Sequence, residues 1–270
     1  MFITFGTSGH RGIIGQDFSL KHVQAIAMAV ADLLLIHHKQ PHVVIGYDPR
    51  RGNSPALEED SFTKAALDVF LKRGLTVDFF NTYVPTPVVS WHIAKNKLHG
   101  GIILTASHNP PQYNGLKFNP TNGAPAPTEI TSKLEELANR HFTNLGNISS
   151  MPKTGQWHRI SPEQEFVKNL LKNCQKHLKI TKNTIKNLNF VIDAKHGTVG
   201  QIWQEIFNQL NLKKSAVINQ KPLSDFGNIE PNPTKYASLT ILKTQQNCLS
   251  AQIAIESGFW LITADFFRLS

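Results

Sequence analysis

One segment, residues 105–117, brings together side chains that could perform group-transfer chemistry. It places a hydroxyl nucleophile, Ser107, beside an imidazole, His108, and it returns to a lysine, Lys117, after two tight turns. A serine beside a histidine could supply the nucleophile and base of a hydrolase, but neighbouring side chains on an extended segment usually point apart. On these residues alone, a polar turn without chemistry is an equally good interpretation.

A second unusual segment lies near the amino terminus, where residues 5–12 read Phe-Gly-Thr-Ser-Gly-His-Arg-Gly. This segment and Thr-Ala-Ser-His-Asn-Pro at residues 105–110 resemble the two signature motifs of the α-D-phosphohexomutases, the phosphoglucomutase and phosphomannomutase family. The histidine form of the first motif is most similar to that of bacterial phosphoglucomutases. Two long motifs in the family's order make coincidence a poor explanation.

The resemblance implies a phosphoserine mechanism. In this family the serine gives its phosphoryl group to a hexose monophosphate and takes it back from the other end of a hexose 1,6-bisphosphate, which also serves as activator. On this chain the serine is Ser107, and the resemblance assigns further catalytic roles to His108, Lys117 and Arg11. Arg11 and Lys117 would neutralise the transferring phosphoryl group, Lys117 is also a candidate proton carrier, and His108 would contact phosphate or act as acid and base.

The same resemblance predicts a set of substrate- and phosphate-binding residues. They are Thr7, Ser8, Arg11, Arg50, Asn109 and Lys117. Arg50 belongs to Asp48-Pro49-Arg50, which resembles a family loop; it either helps to close the active site or belongs to an exposed turn. The glycines at 6, 9 and 12 would let the first loop approach a phosphate closely.

The family's metal loop has the form Asp-x-Asp-x-Asp-Arg, whose three carboxylates and the serine phosphate would hold Mg²⁺. The matching segment here, residues 263–268, reads Thr-Ala-Asp-Phe-Phe-Arg. It keeps one carboxylate, so Ser107 and Asp265 are the metal ligands that the resemblance predicts. One carboxylate and a phosphate make a poor Mg²⁺ site, and a packed strand is the favoured interpretation of residues 253–267.

Apolar runs of strand length alternate with segments of helical period, which is typical of an α/β fold. We predict two consecutive α/β domains with mixed, mostly parallel sheets flanked by helices, as in the first two phosphohexomutase domains. The predicted helices cover residues 19–39, 55–73, 87–97, 128–141 and 199–210, and the predicted strands cover residues 43–45, 75–80, 99–105, 188–192 and 216–219.

A polar stretch at residues 143–158, rich in Asn, Ser, Gly and Pro, predicts a linker. The first domain is therefore expected at residues 1–145, with the active-serine loop, and the second at residues 158–270, truncated at the metal loop. The resemblance further implies that the family's third domain, which recognises the sugar, and its fourth, which grips the substrate phosphate, are absent.

Composition excludes several classes of protein. Hydrophobic residues make up 40% and charged residues 17%, which is ordinary for a globular chain and excludes disorder, collagen-like repeats and coiled coils. No apolar run reaches the ~18 residues of a membrane-spanning helix, and no secretory signal is recognisable. Since the two cysteines, Cys174 and Cys248, are sparse and far apart, we expect free thiols, a cytoplasmic location and no membrane partner.

The chain is basic, with 28 Lys and Arg against 19 Asp and Glu and a net charge of +9. Much of the excess comes from lysines spaced three or four residues apart: Lys168, Lys172, Lys176, Lys179, Lys182 and Lys186. A face for polyanions is one interpretation. No aromatic residue interleaves with these lysines to stack on bases, which favours the solvated face of an amphipathic helix over a nucleic-acid partner.

Three functions remain open on the sequence. The first is a phosphohexomutase that converts hexose 1-phosphate to hexose 6-phosphate, with low or no turnover in this truncated form. The second is a non-catalytic remnant that binds a phosphosugar or a partner protein, and the weakest is polyanion binding. Aromatic residues near the carboxyl terminus also predict an exposed edge for self-association: Phe259, Trp260, Phe266 and Phe267.

Overall fold

The computed structural model describes residues 2–144, 152, 154–178, 182–185, 187–232 and 253–256. The chain divides into two compact units. The first unit comprises residues 1–106 and 112–161, and the second comprises residues 107–111 and 162–270. The loop that carries Ser107 therefore groups with the second unit, although it joins two strands of the first.

The first unit is built on a six-stranded mixed sheet. Its strands are β1 (His10–Ile13), β2 (His42–Tyr47), β3 (Thr76–Phe80), β4 (Gly100–Leu104), β5 (Tyr113–Pro120) and β6 (Gln156–Ile160). They lie in the order β1-β5-β4-β2-β3-β6. Neighbours from β4 to β6 are parallel, whereas β5 runs antiparallel to both β4 and β1.

Helices cover both faces of this sheet. They are α1 (Leu20–Leu35), α2 (Phe62–Lys72), α3 (Thr86–Asn96) and α4 (Thr128–Thr143). Helix α1 packs against α2 and α4, and α3 packs on β2 and β4. Helix α2 connects β2 to β3 on one side of β2, and α3 connects β3 to β4 on the other side of β2. Because both crossovers are right-handed and run in opposite directions along the sheet, they place α2 and α3 on opposite faces of it. Strands covered on both faces are continuously apolar, as in the buried run of Val43, Val44 and Ile45.

The second unit contains a smaller parallel sheet. Its elements are α5 (Glu163–Asn173), a π-helical turn (Cys174–Leu178), α6 (Lys182–Ile185), β7 (Phe190–Asp193), α7 (Gly200–Leu210), β8 (Ala216–Ile218), a 3₁₀ turn (Phe226–Asn228) and β9 (Ile253–Glu256). The strand order is β8-β7-β9, all parallel, and α5 packs against α7. The predicted class, mostly parallel sheets flanked by helices in two α/β domains, is confirmed.

Several local predictions differ from the structure. Residues 156–160 form β6 and pair with β3, although the predicted linker extended to residue 158. Four of the five side chains of this edge strand are exposed, so it has no apolar run to mark it. The helix predicted over residues 55–73 begins at Phe62 instead, because Ser61 caps it by accepting a hydrogen bond from the Lys64 backbone N–H at 3.2 Å. Strands β1 and β5 lie in segments whose glycines and turn residues predict loops.

The lysine-rich segment is amphipathic where the structure describes it. Lys168, Lys172 and Lys176 are exposed, while Phe166 and Val167 are buried. The backbone at Lys179 and Lys186 and the side chain of Lys182 lie outside the described residues, as do Cys248 and the carboxyl-terminal aromatic residues. Among the helices of the described ranges, none combines the length and the apolar character needed to cross a membrane.

Candidate functional site

The first signature motif folds as a tight turn before β1. The Gly9 backbone N–H donates to the Gly6 carbonyl at 2.8 Å, which leaves Thr7 and Ser8 exposed at the tip. Gly9 has a φ of +76°, and a Cβ there would lie 2.2 Å from the backbone oxygen of Leu116. Any larger residue at this position would clash with β5, so the turn requires glycine in order to pack against that strand.

Arg11 lies on β1, directly opposite Gly115 of β5. A Cβ on Gly115 would lie 2.9 Å from Cγ of Arg11, so the glycine makes room for the arginine side chain to cross the strand. The guanidinium is half-buried, and its Nε donates to the Ser8 carbonyl at 3.3 Å. Burial lowers the pKa of Arg11, and the neighbouring positive charge of Arg50 lowers it further.

Lys117 lies two residues beyond Gly115 on β5, on the same face of the strand and diagonally across from Arg11. Its side chain is buried. Burial lowers the pKa of Lys117 to about 8; the positive charge of Arg11 contributes in the same direction, and the negative charge of Asp48 opposes both. Such a lysine can both donate and accept a proton near neutral pH.

The Asp48-Pro49-Arg50 loop is buried, so its interpretation as an exposed turn is wrong. The exposed fractions of the Arg50 and Asp48 side chains are 0% and 2%. Arg50 Nε donates to Oδ2 of Asp48 at 3.2 Å, and Nη1 donates to the Tyr113 carbonyl at 2.9 Å. Burial raises the pKa of Asp48, and the Arg50 charge works against that rise. Arg50 therefore joins the end of β2 to the start of β5.

Two buried asparagines, which the sequence analysis did not select, complete this network. Asn53 Nδ2 donates to Oδ1 of Asp48 and to the Leu104 carbonyl, each at 3.1 Å. Asn114 Nδ2 donates to Oδ1 of Asn53, also at 3.1 Å. The ends of β2 and β4 and the start of β5 are thus held by side-chain amides. Taken by itself, the Asn-Gly pair at residues 114–115 predicts a turn, so the sequence did not indicate that Asn114 is buried in a hydrogen-bond network.

The active-serine loop has an unusual backbone. Ser107 is buried and has a φ of +57°, in the left-handed region that non-glycine residues rarely adopt. Its Oγ lies 3.4 Å from Nδ1 of His108, so these neighbours meet rather than point apart, because the left-handed residue turns the chain. His108 is exposed and Asn109 is half-exposed. Strained backbone of this kind is concentrated at functional sites.

The structure brings the predicted residues together in two groups. In the first unit, Arg11 interacts electrostatically with Arg50 and Lys117, and the buried Asp48 carboxylate interacts with Arg50 and Lys117. Cations held this close together suit the binding of a phosphate dianion. The second group is the loop 107–111, with its serine, imidazole and amide.

The predicted metal site does not fit Mg²⁺ chemistry. Of its two ligands, Ser107 is described, whereas Asp265 lies outside the described residues together with the rest of residues 263–268. A hard divalent cation requires about six oxygen ligands, and this segment of the sequence supplies one carboxylate. We therefore derive no chemical step through Mg²⁺.

The Lys117 ammonium is expected to titrate with a midpoint at about pH 8. Lysine ¹³Cε NMR, assigned with Lys117→Arg, measures this directly, and Lys64 provides an internal control because its hydrogen bond to Asp68 raises its pKa. Since the folded-state pKa lies below the ordinary 10.5, the unfolded chain binds more protons between these values, and stability rises with pH across this window. Inorganic phosphate should move the midpoint upward by stabilising the ammonium. A midpoint equal to that of Lys64 would contradict the burial argument.

Comparison with known proteins gives a consistent result. The phosphoglucomutase of Komagataeibacter xylinus is 38% identical over 149 residues, which cover 52% of this chain and 26% of that protein. The phosphoglucomutase of Schizosaccharomyces pombe is 31% identical over 261 residues, which cover 90% of this chain and 46% of that protein. The chain thus spans half the length or less of these curated relatives.

Solved structures and family models agree with these relatives. A phosphoglucomutase/phosphomannomutase family protein from Burkholderia thailandensis superposes with a TM-score of 0.74 at 21% identity, over 94% of this chain and 52% of that chain, which shows the fold. Residues 3–144 match the model of phosphoglucomutase/phosphomannomutase alpha/beta/alpha domain I, and residues 164–257 match that of domain II. Since these two matches cover most of its length, the chain belongs to the phosphoglucomutase/phosphomannomutase family.

Proposed function

We propose that this chain carries phosphohexomutase chemistry, the transfer of a phosphoryl group between the 1- and 6-positions of a hexose phosphate through a phosphoserine at Ser107. One observation carries the proposal beyond family membership. Arg50 and Lys117 both interact with the buried Asp48 carboxylate, Arg11 interacts electrostatically with both of these cations, and burial lowers the pKa of Lys117 to about 8. Clustered cations that include a titratable amine suit phosphate binding coupled to proton transfer.

The proposed step begins from a hexose 1,6-bisphosphate. In a priming step, the Ser107 Oγ forms a bond to one phosphorus atom of the bisphosphate as the bond from that phosphorus to its sugar oxygen breaks, which releases a hexose monophosphate. The phosphoserine then transfers its phosphoryl group to the free 6-hydroxyl of a hexose 1-phosphate. After the resulting bisphosphate reorients, Ser107 takes back the phosphoryl group from position 1, which releases hexose 6-phosphate. Ser107 loses its hydroxyl proton and the departing sugar oxygen gains one. His108, whose Nδ1 is 3.4 Å from Oγ, is the proposed acceptor, and Lys117 is the proposed second proton carrier.

The remaining predicted residues receive binding roles in this proposal. Thr7 and Ser8 present hydroxyl groups at the tip of an exposed turn, and Asn109 adds an amide in the serine loop. These groups would bind phosphate oxygens, as hydroxyls and amides commonly do. Arg50 acts mainly by joining the end of β2 to the start of β5, since its Nε and Nη1 already donate to protein oxygens.

We further propose that turnover by this chain is low. Family members typically depend on Mg²⁺ to balance phosphoryl charge, and one carboxylate at Asp265 is a weak ligand set for that ion. We therefore expect the domain at residues 1–145 to accept a phosphoryl group even where the complete reaction, from hexose 1-phosphate to hexose 6-phosphate, is slow. We call Arg11, Arg50 and Lys117 the cationic cluster. The alternative function, a non-catalytic protein that binds phosphosugars or a partner, also uses this cluster but predicts no covalent intermediate.

Incubation of the full chain with glucose 1,6-bisphosphate and Mg²⁺, followed by intact-mass measurement, tests the proposal. We expect one phosphoryl adduct per chain, with slow conversion of glucose 1-phosphate to glucose 6-phosphate in a coupled assay. Calorimetric binding of glucose 6-phosphate without any adduct would favour the non-catalytic alternative. Rapid, Mg²⁺-dependent turnover would show that the account of the metal ligands is wrong.

A further inference from the structure

A cluster of three histidines surrounds one buried carboxylate in the first unit, outside the groups described above. Asp78 Oδ1 lies 2.6 Å from Nε2 of His42 and 2.7 Å from Nε2 of His158. Its other oxygen, Oδ2, lies 2.6 Å from Nε2 of His92. We call these four residues the histidine–aspartate cluster. The three imidazoles use three of the roughly four acceptor sites of the carboxylate, and two of them share one oxygen, Oδ1.

The strand register explains how residues so distant in sequence meet. Asp78 of β3 is paired with His158 of β6 on one side and with Val44 of β2 on the other. His42 lies two residues before Val44, so it is on the same face of the sheet. His92 comes from α3, the helix that packs on this face. His42 begins β2, whereas the Asp48 loop follows the end of that strand, so the cluster is separate from the proposed phosphate-binding residues.

The four residues divide into a buried pair, Asp78 and His92, and a more exposed pair, His42 and His158. His92 is buried; its Nδ1 accepts from Nδ2 of Asn96 at 3.0 Å, so its proton is on Nε2 and is donated to Asp78. This arrangement fixes the orientation of the carboxylate. His42 and His158 share the other oxygen, and their side chains are 34% and 56% exposed, which lets both rings adjust.

We propose that His42, His158 and Asp78 form a binding site for a divalent transition-metal ion of the Zn²⁺ class. The ligand atoms would be the two Nε2 atoms and Oδ1, which lie within 4.8 Å of one another. Two imidazoles and one carboxylate are a common ligand set for Zn²⁺, with water at the fourth position. Mg²⁺ and Ca²⁺ prefer an all-oxygen shell and are poor candidates.

Metal binding requires a small, definable rearrangement. Bonds of about 2.0–2.2 Å in a tetrahedron place ligand atoms about 3.3–3.6 Å apart, so the two short Nε2–Oδ1 distances must widen by roughly 0.6–1.0 Å. Each Nε2 must also present its lone pair, with its proton moved to Nδ1 or released. The ion thus replaces the two protons that now join the imidazoles to Oδ1. His92 would act as the outer partner that orients the carboxylate.

The test uses the full chain after chelator treatment, in buffer with excess Mg²⁺ to occupy hard-cation sites. Titration with ZnCl₂ by calorimetry should show one strong site per chain. His158→Gln is the main variant because the ring is largely exposed and Gln can keep a hydrogen bond to Asp78; His42→Gln is the second. His177→Gln removes an exposed histidine of the second unit and is the matched control.

We expect each cluster variant to weaken Zn²⁺ binding by at least about tenfold, with the control unchanged. Zn²⁺ should raise the Tm of the wild type and not that of His158→Gln. Co²⁺ should give the visible bands of a tetrahedral site without a thiolate charge-transfer band. The proposal is overturned if the wild type shows no one-to-one binding, or if both cluster variants bind Zn²⁺ as the wild type does. Neither outcome depends on phosphoryl transfer.

Discussion

Ser107→Ala is expected to abolish the phosphoryl adduct formed from glucose 1,6-bisphosphate. The substitution removes the single Oγ that the proposed chemistry uses, while the methyl side chain fits the same buried volume. Ser107 already adopts a φ of +57°, and alanine meets a similar steric cost there. The loop should therefore keep its conformation, and loss of the adduct would report on chemistry rather than on folding. Intact mass and peptide mapping measure the result.

Two further variants make this experiment decisive. Ser107→Gly also lacks Oγ but relieves the left-handed strain, so it should lose the adduct and unfold at an equal or higher temperature. Ser132→Ala, an exposed serine on α4, should retain the adduct fully. An adduct that persists in both Ser107 variants would assign the phosphoryl group to another side chain and would refute the phosphoserine proposal.

Arg50→Met is expected to destabilise the first unit by about 3–5 kcal/mol, because it removes the cation that is hydrogen-bonded to the buried Asp48 carboxylate. The methionine stem replaces much of the volume, so the loss reports on charge and hydrogen bonds rather than on a cavity. Burial already raises the pKa of Asp48, and without Arg50 that pKa should rise further. Hydrogen exchange of β2 and β4 amides under increasing urea measures the unfolding of this unit by itself.

Paired variants separate the buried ion pair from a general effect of removing arginine. Arg140→Ala breaks an exposed pair with Glu136, whose atoms lie 2.8 Å apart, and it should leave the unfolding free energy unchanged within error. Asp48→Asn with Arg50→Met removes both charges and should recover part of the loss. If Arg50→Met unfolds at the same urea concentration as the wild type, Arg50 does not hold β2 to β5 as described.

The sequence predicted the parts of the fold whose signals are local. Helices α1, α3 and α4 and strands β2, β3 and β4 follow from apolar period and run length. Strand β5 was missed because its polar residues, including Asn114 and Lys117, are buried only through partners far away in the chain. Strand β6 was missed because an exposed edge requires no apolar side chains.

The same distinction between local signals and distant contacts explains which features of the candidate site the sequence predicts. The motifs identified Ser107, Arg11 and Lys117 because the family resemblance carries them, but nothing local indicated that Arg50 would be wholly buried. Its environment depends on Asn53 and on the Tyr113 carbonyl. The histidine–aspartate cluster could not be predicted from the sequence for the same reason. Its residues are brought together by the register of β2, β3 and β6, not by their spacing within a motif.

The pairing of β1 with β5 joins segments about a hundred residues apart, with Arg11 opposite Gly115. Closing so long a loop is slow and costs chain entropy before any contact repays it, and here it also brings the like charges of Arg11 and Lys117 together. We therefore expect the cationic cluster to assemble late in folding, after β4 and β5 have paired. During synthesis, the first thirteen residues must wait until β5 has emerged from the ribosome, so the cations on β1 and β5 meet only after more than a hundred residues have been made.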